Sequence, residues 1–166
     1  MEAARVEVGA SRCIAQQGDF AGKAQIALNI FCDSSALAKR YIEERGSDQI
    51  QAVLSSASAL AVSVICVPEI VSALCRRRRE RKISTEEYRS AKASLLSDID
   101  DATVIGITEE VIARAVALLE QFPLRSADAL HIACASEWST DLFVSADDPQ
   151  CKAARTRGLR VEAITV

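Results

Sequence analysis

The sequence predicts an α/β fold, three layers deep, with a roughly five-stranded parallel sheet between two layers of helices. Three observations carry this reading. Apolar runs without polar alternation, Ile30-Phe31-Cys32 and Leu142-Phe143-Val144, suit central strands covered on both faces. Such runs alternate along the chain with segments of helical periodicity, the order that folds as right-handed βα units. Acids, Asp33 and Asp147 among them, stand just past the apolar runs, where open parallel sheets bind ligands.

The elements follow in order. Asp33 sits where the first strand stops, and Ser34 is a good N-cap for a helix carrying Leu37 and Tyr41. Residues 47–57 hold Ile50, Val53, Leu54 and Ala57, an i, i+3, i+4, i+7 stripe. Residues 59–63 form a short apolar strand. The clearest helix then presents Val67, Ile70, Val71, Leu74 and Cys75 on one face, with Pro68 tolerable only in its first turn. Ser84-Thr85-Glu86-Glu87 is a capping box opening a helix that buries Tyr88, Leu95 and Ile99. Residues 103–107 are β-branched and strand-like. Thr108 caps a helix with Glu109 and Glu110 in its first turn, and Pro123 stops it. Residues 125–138 are a helix, 142–144 a strand, 148–157 a helix stopped by Gly158, and 160–166 the last strand. That makes five strands and seven helices.

Composition narrows the function classes. The 166 residues allow one domain with a single core. An apolar content of 49% and a charged content of 26% fit a globular chain and exclude a disordered one. No stretch approaches the ~20 apolar residues of a membrane span, and residues 1–10 lack the apolar region of a secretory signal. The expectation is a cytoplasmic protein. Cys13, Cys32, Cys66, Cys75, Cys134 and Cys151 form no C-x-x-C pair and have one histidine to join them, so they read as structural thiols rather than a zinc site. Residues 1–28 hold three of the six glycines and no sustained period. They read as an extension outside the 29–166 domain, disordered or carried by a misassigned start, with translation opening at Leu28.

The net charge of −3 gives no global pull toward a polyanion. Local charge does, because residues 76–82 hold six basic side chains and one acid. Arg76, Arg77, Arg79, Arg81 and Lys82 read as phosphate contacts or as a solvated, dipole-favoured helix end. With seven aromatics in all, a base-stacking platform is not expected. No G-x-G-x-x-G, Walker A or G-x-S-x-G sequence is present, so nucleotide-cofactor and serine-hydrolase readings have no support.

Four acids share one rim of this fold. Asp33 and Asp147 lie past strand ends. Glu69 stands near a helix start and off its apolar stripe, and Asp128 falls in the first turn of the nearly uncharged Ser126-Ala127-Asp128-Ala129-Leu130-His131-Ile132-Ala133-Cys134. Singly, each could serve only a cap or a helix dipole. Together they repel: two carboxylates about 5 Å apart at an effective dielectric of 20 cost roughly 3 kcal/mol. A hard divalent ion, Mg²⁺ or Mn²⁺, relieves this and brings phosphodiester hydrolysis within reach. His131 lies one turn after Asp128 and reads as a structural hydrogen-bonding residue rather than a general base.

In their order, NIFCDSSALAKRY, VPEIVSALCRRRRERKIS, LRSADALHIACA and LFVSADDPQCKAARTRGL resemble the four blocks of the PIN domain, most closely the VapC-type toxin ribonucleases of bacterial toxin–antitoxin pairs. The resemblance covers residues 29 to 166. It implies a five-stranded parallel sheet between helices, with Asp33, Glu69, Asp128 and Asp147 holding Mg²⁺ or Mn²⁺. Ser35 would support the first acid, and Ser145 stands where Thr is common. It further implies an RNA substrate, a homodimer, and a small antitoxin that wraps the helices, for which the basic run is another possible contact. After Asp147 the family continues with a basic and then an apolar residue, whereas this chain has Asp148-Pro149-Gln150, so either Asp147 or Asp148 could face the metal. The rival readings are a phospho-receiver domain with Asp33 as acceptor, which shares the doubly wound sheet, and a catalytically inactive PIN-like binding module.

Overall fold

The computed structural model describes residues 28–165. The expectations for the extension, for a start at Leu28 and for Cys13 concern residues 1–28 and fall almost wholly outside that range. A five-stranded, all-parallel sheet runs in the order β3-β2-β1-β4-β5, from strands β1 (Leu28–Cys32), β2 (Ala57–Ser63), β3 (Thr103–Ile105), β4 (Leu142–Ser145) and β5 (Val161–Ala163). Seven α-helices connect and cover it: α1 (Ser34–Leu37), α2 (Ser47–Leu54), α3 (Cys66–Arg79), α4 (Thr85–Asp100), α5 (Glu109–Gln121), α6 (Ser126–Glu137) and α7 (Asp148–Thr156). Among the described residues no helix is long and apolar enough to cross a membrane.

Side chains of β1 alternate across the sheet. Ile30 and Cys32 join Leu37, Ile50, Val62, Ile70, Leu74, Leu95 and Val144 on the face covered by α1 to α4. Phe31 joins Val111, Leu118, Ile132, Phe143 and Ala154 under α5 to α7. Both faces are dry, which is why the central strands read as unbroken apolar runs. The chain winds outward through β2 and β3 on one side of β1, then returns to β4 and β5 on the other. The crevice between the carboxyl ends of β1 and β4 is therefore the topological switch point, the place such sheets bind ligands. Register fixes what stands there. Ile30, Phe31 and Cys32 pair with Leu142, Phe143 and Val144, so the next residues, Asp33 and Ser145, emerge side by side.

Several boundaries differ from the sequence expectation. Asp33, not Ser34, caps α1: its Oδ1 accepts from the Ala36 N–H at 2.9 Å. This α-helix is only one turn long and passes into a 3₁₀ turn, Ala38–Arg40, before Tyr41. α2 ends at Leu54 and Ala57 begins β2, because Ala57 pairs with Leu28 in the sheet. Arg125 is a cap residue rather than the first residue of α6. β3 stops at Ile105 and β5 spans only three residues, both edge strands with one neighbour each. The α4 capping box is as expected, with Ser84 and Glu87 exchanging backbone hydrogen bonds. Cys32, Cys66, Cys134 and Cys151 are buried, Cys75 is half-buried, and all five are free thiols.

The basic run does not continue as helix. Glu80 is the C-cap of α3 and Arg81 takes a left-handed φ of 57°. The Lys82 N–H returns to the Arg77 carbonyl at 2.9 Å and the Arg81 N–H to that of Arg78 at 3.0 Å, which is a Schellman closure. Arg81 and Lys82 thus lie beyond the helix.

Gly46, at φ 93°, opens α2 and lies against the end of the chain, where a Cβ would run into the Thr165 carbonyl oxygen and the Ile164 side chain. Gln49 holds the same end, accepting from the Thr165 N–H at 2.9 Å. Gly46→Ala is expected to lower stability by about 1–3 kcal/mol from backbone conformation alone, with the clash adding to it. A denaturant melt of the pure protein measures this, and an unchanged midpoint would refute it.

Candidate active site

Asp33 is built into the switch point rather than placed on its surface. It is 2% exposed, and its backbone N–H extends the β1–β4 ladder to the Val144 carbonyl at 3.0 Å. The Ser35 hydroxyl lies 3.0 Å from Oδ1 and 2.8 Å from Oδ2, and that of Ser145 lies 2.9 Å from Oδ2. Burial pushes the Asp33 carboxyl above its ordinary range, against the opposing pull of the His131 ring and of the Ala36, Ser35 and Ser145 hydrogen bonds. A buried carboxylate held up in this way gains from any cation that reaches it.

Ser145 and Ser35 also tie the β4 end to Asp33. The Ser145 oxygen accepts from the Asp147 N–H at 3.0 Å, and the Ser35 oxygen accepts from the Ala146 N–H at 3.0 Å. Asp147 caps α7, with Oδ1 accepting from the Gln150 N–H at 2.8 Å. Asp148 is the exposed first residue of that helix, and it is the charge of Asp147 that reaches Asp128.

Asp128 sits in the first turn of α6, half-buried, and its Oδ2 accepts from the Arg125 N–H at 3.0 Å. Its carboxyl is pushed up by burial, with the Asp147 charge adding to the rise and the Arg125 hydrogen bond opposing it. Asp128 and Asp147 therefore feel one another. Glu69 lies in the first turn of α3. Its Oε2 lies 2.7 Å from His131 Nε2 and also takes the Ser34 hydroxyl. Burial alone would raise the Glu69 carboxyl, but the hydrogen bonds from His131 and Ser34 hold it below its usual range.

These residues form one connected rim. Asp33 joins Asp147 through Ser145, joins Glu69 through the adjacent Ser34, and approaches Asp128 through Gln150. Gln150 is fully buried, its Oε1 is 2.6 Å from the Ser145 hydroxyl, and its amide N–H reaches the Asp128 carbonyl at 3.3 Å. Ser34, expected as a helix cap, and Gln150, expected only as a departure from the family pattern, take part in the rim, and His131, expected as a structural hydrogen-bonding residue, meets Glu69 and Ser34 there. The i+3 spacing of Gln150 from the capping Asp147 was the available signal.

Among the described residues no three His, Cys, Asp or Glu side chains close around a single point. The donors nevertheless suit a hard ion. They are carboxylate oxygens, and burial pushes the carboxyls of Asp33 and Asp128 above their ordinary range. Mg²⁺ commonly binds through one or two carboxylates and keeps several waters.

The exposed face of α3 forms a groove of about 330 Å³ lined by Ile65, Pro68, Glu69, Ser72, Ala73 and Arg76. Within the basic run, Arg77 pairs with Glu44, Arg78 stacks 4.6 Å over the Tyr88 ring, and Lys82 pairs with Glu80 at 2.8 Å. Arg76 alone of the run lines the groove that contains Glu69.

Known proteins agree with this architecture. The family model of the PIN domain matches residues 30–156. Ribonuclease VapC46 of Mycobacterium tuberculosis is 30% identical over 136 residues, covering 81% of this chain and 96% of its own. Among solved structures, VapC20 of Mycobacterium tuberculosis superposes with a TM-score of 0.60 at 18% identity, covering 78% of this chain and 95% of its own. VapBC2 of Rickettsia felis, bound to a promoter DNA fragment, gives 0.60 at 12% identity, with 82% and 98% covered. Its fold matches at the level of whole chains, and the sequence model spans most of its length: the chain belongs to the PIN domain family.

Proposed function

We propose that this protein is an endoribonuclease that hydrolyses RNA phosphodiesters with Mg²⁺ or Mn²⁺, and that it acts in the cytoplasm as the toxin of a toxin–antitoxin pair. The observation that carries the reading is Asp33: a carboxyl buried at the β1–β4 switch point, held above its ordinary pKa and connected by hydroxyl groups to Asp147. Its similarity to a ribonuclease over most of both chains supports the substrate class. A toxin–antitoxin complex from Klebsiella pneumoniae and VapBC-5 of Mycobacterium tuberculosis, a member of a family of toxin–antitoxin systems, share its fold and support a protein antitoxin. The family resemblance supports a homodimer.

The bound ion would supply Lewis-acid stabilisation of the phosphate and a more acidic water. The chain's own residues do the rest. Ser35 and Ser145 hold Asp33 in one orientation. With Asp33, Asp147, fixed as a helix cap, and Asp128, fixed by the Arg125 N–H, would hold the ion. Glu69 is half-exposed and low in pKa, able to orient a water. Arg76 lies two turns along α3 from Glu69 and would take a flanking phosphate. A phospho-receiver is less well supported, because it would leave Glu69 and Asp128 without a role.

Cleavage of a labelled RNA by the pure protein should require Mg²⁺ or Mn²⁺ and stop with chelator. Saturating metal should raise Tm, by about 2.7 kcal/mol of stability at a hundredfold excess over Kd. Asp128→Asn should cost at least about a hundredfold in cleavage, or about 3 kcal/mol of barrier. Cleavage that survives that substitution or chelator defeats the proposal.

The same substitution should leave the metal-free fold as stable or more so at neutral pH. The Asp128 carboxyl is raised in the folded protein, so the native state binds the proton more tightly than the unfolded chain. That contribution is complete below the unfolded value of about 3.9 and is lost as pH rises through the folded pKa. The Asn variant's advantage in Tm should therefore appear at neutral pH and vanish in acid; a Tm deficit at neutral pH would contradict it. For Arg76→Ala, RNA affinity should fall and the slope of log K against log salt should flatten by about 0.7, the value for one phosphate on a single strand. An unchanged slope assigns Arg76 no phosphate.

A further inference from the structure

His131 is the one histidine of the chain, and it lies in α6 at 2% exposure, its ring edge-on to Phe31 with centroids 6.4 Å apart. Nε2 stands 2.7 Å from Glu69 Oε2 and 2.7 Å from Ser34 Oγ. Nδ1 is buried and has no hydrogen-bond partner.

These contacts settle the proton inventory. An ionised carboxylate only accepts, so the nitrogen facing Glu69 Oε2 must be the one that carries hydrogen. The Ser34 hydroxyl spends its single hydrogen on the same oxygen and offers a lone pair to Nε2–H. Nδ1 is left without a partner in either case. A serine–histidine–acid relay is ruled out on geometry, since there the acid grips the ring nitrogen opposite the serine. Here acid and serine share Nε2.

A purely structural histidine would be a poor choice at this position. An apolar side chain of similar volume would fill the space without burying an unpaired nitrogen. What the imidazole supplies is a rigid donor aimed at one oxygen of a long side chain. Glu69 Oε1 takes no hydrogen bond among the described residues, and the side chain is 37% exposed at the groove. We propose that His131 is a positioning residue that acts through Glu69: its Nε2–H, with the Ser34 hydroxyl, holds Oε2 and leaves Oε1 directed to the work of the cleft.

The role has a structural corollary. Asp128 and His131 are three residues apart and so share a face of α6. One turn of helix thereby brings one acid into the cleft and fixes the orientation of another that arrives from α3. The inference rests on the nuclease reading for its kinetic part only.

The test uses His131→Leu and His131→Gln beside wild type, with folding checked by thermal melts. In Mn²⁺-supported RNA cleavage, His131→Leu should keep KM, because the buried ring cannot touch RNA, and should lose about 10–100-fold in kcat, the usual cost of removing a group that orients a metal-site ligand. His131→Gln should recover most of that loss, since its terminal amide N–H can reach the position of Nε2–H. A folded Leu variant with unchanged kcat, or a Gln variant no better than Leu, overturns the proposal. Nitrogen NMR of the metal-free wild type supplies a readout independent of activity: the proton should sit on Nε2, and its resonance should move in Glu69→Gln. A proton on Nδ1, or a resonance indifferent to Glu69, overturns it as well. Should the Leu variant not fold, the Gln variant and the spectrum decide. If wild type cleaves no RNA, the nuclease reading falls, while the spectrum still tests the contact with Glu69.

Discussion

A carboxylate that has left water must be solvated by the protein, and Asp33 has left water almost completely. The hydrogen bonds that replace its hydration come from the Ala36 backbone, Ser35 and Ser145. Each constrains a different part of the fold. The Ala36 N–H requires the chain to turn into a helix directly after β1, which explains why α1 begins with no intervening loop. Ser145 requires β4 to lie beside β1 in the observed register. Ser35 reaches onward to the Ala146 backbone, so the loop after β4 is held by the residue that supports the acid. Stability and the geometry of the site are thus the same set of contacts.

The support continues one layer further through Ser145. A hydroxyl has one hydrogen, yet Ser145 Oγ faces two acceptors, Asp33 Oδ2 at 2.9 Å and Gln150 Oε1 at 2.6 Å. Gln150 cannot turn its amide around to relieve this without setting its oxygen against the Asp128 carbonyl that its N–H now meets at 3.3 Å. The shared hydrogen therefore links Asp33 to the first turn of α6, which carries Asp128. Buried polar chains of this kind are stable only when every member is satisfied, and here the Ala36 N–H serves Oδ1, the Ser35 hydroxyl serves Oδ2, and the Ser145 hydroxyl is free to serve Gln150.

The sequence made the sheet and the acids legible because both follow from short-range rules. Unalternating Ile30-Phe31-Cys32 and Leu142-Phe143-Val144 declare doubly covered strands, and Ser84 with Glu87 declares a helix start. Asp33 was harder. Its place after a strand was readable, but Ser34 is as good a cap in isolation, and only the 2.9 Å contact with the Ala36 N–H chooses between them. Ala57 satisfied a helical stripe and was claimed instead by pairing with Leu28, a tertiary contact that local periodicity does not contain. The Schellman turn at Arg81 was hidden for a similar reason, since a left-handed arginine is disfavoured by every local rule. His131 and Gln150 drew their roles from partners 62 and 22 residues away, and no spacing within one helix could have named them.

α3 is left with a separation that bears on how charge is used. A helix dipole by itself favours an acid at the start and bases at the end, so Glu69 and the arginines could both be electrostatic housekeeping. The internal pairing argues otherwise. Arg77 and Arg78 are engaged by Glu44 and Tyr88, as a stabilised helix end would have them, whereas Arg76 lies in the groove with Glu69. Seven residues of helix put the two about 10 Å apart along the axis. Across that distance in water, unit charges interact by about 0.4 kcal/mol, and salt at physiological strength screens most of it. Arg76 therefore cannot neutralise the acidic rim, and the acids cannot hold Arg76. Each end remains open to its own counter-charge: a cation among the carboxylates and an anion at the guanidinium. A phosphodiester strand laid along α3 over a metal-loaded cleft supplies the anion at one end and shares the metal at the other, which neither a purely structural rim nor a purely structural helix end would require.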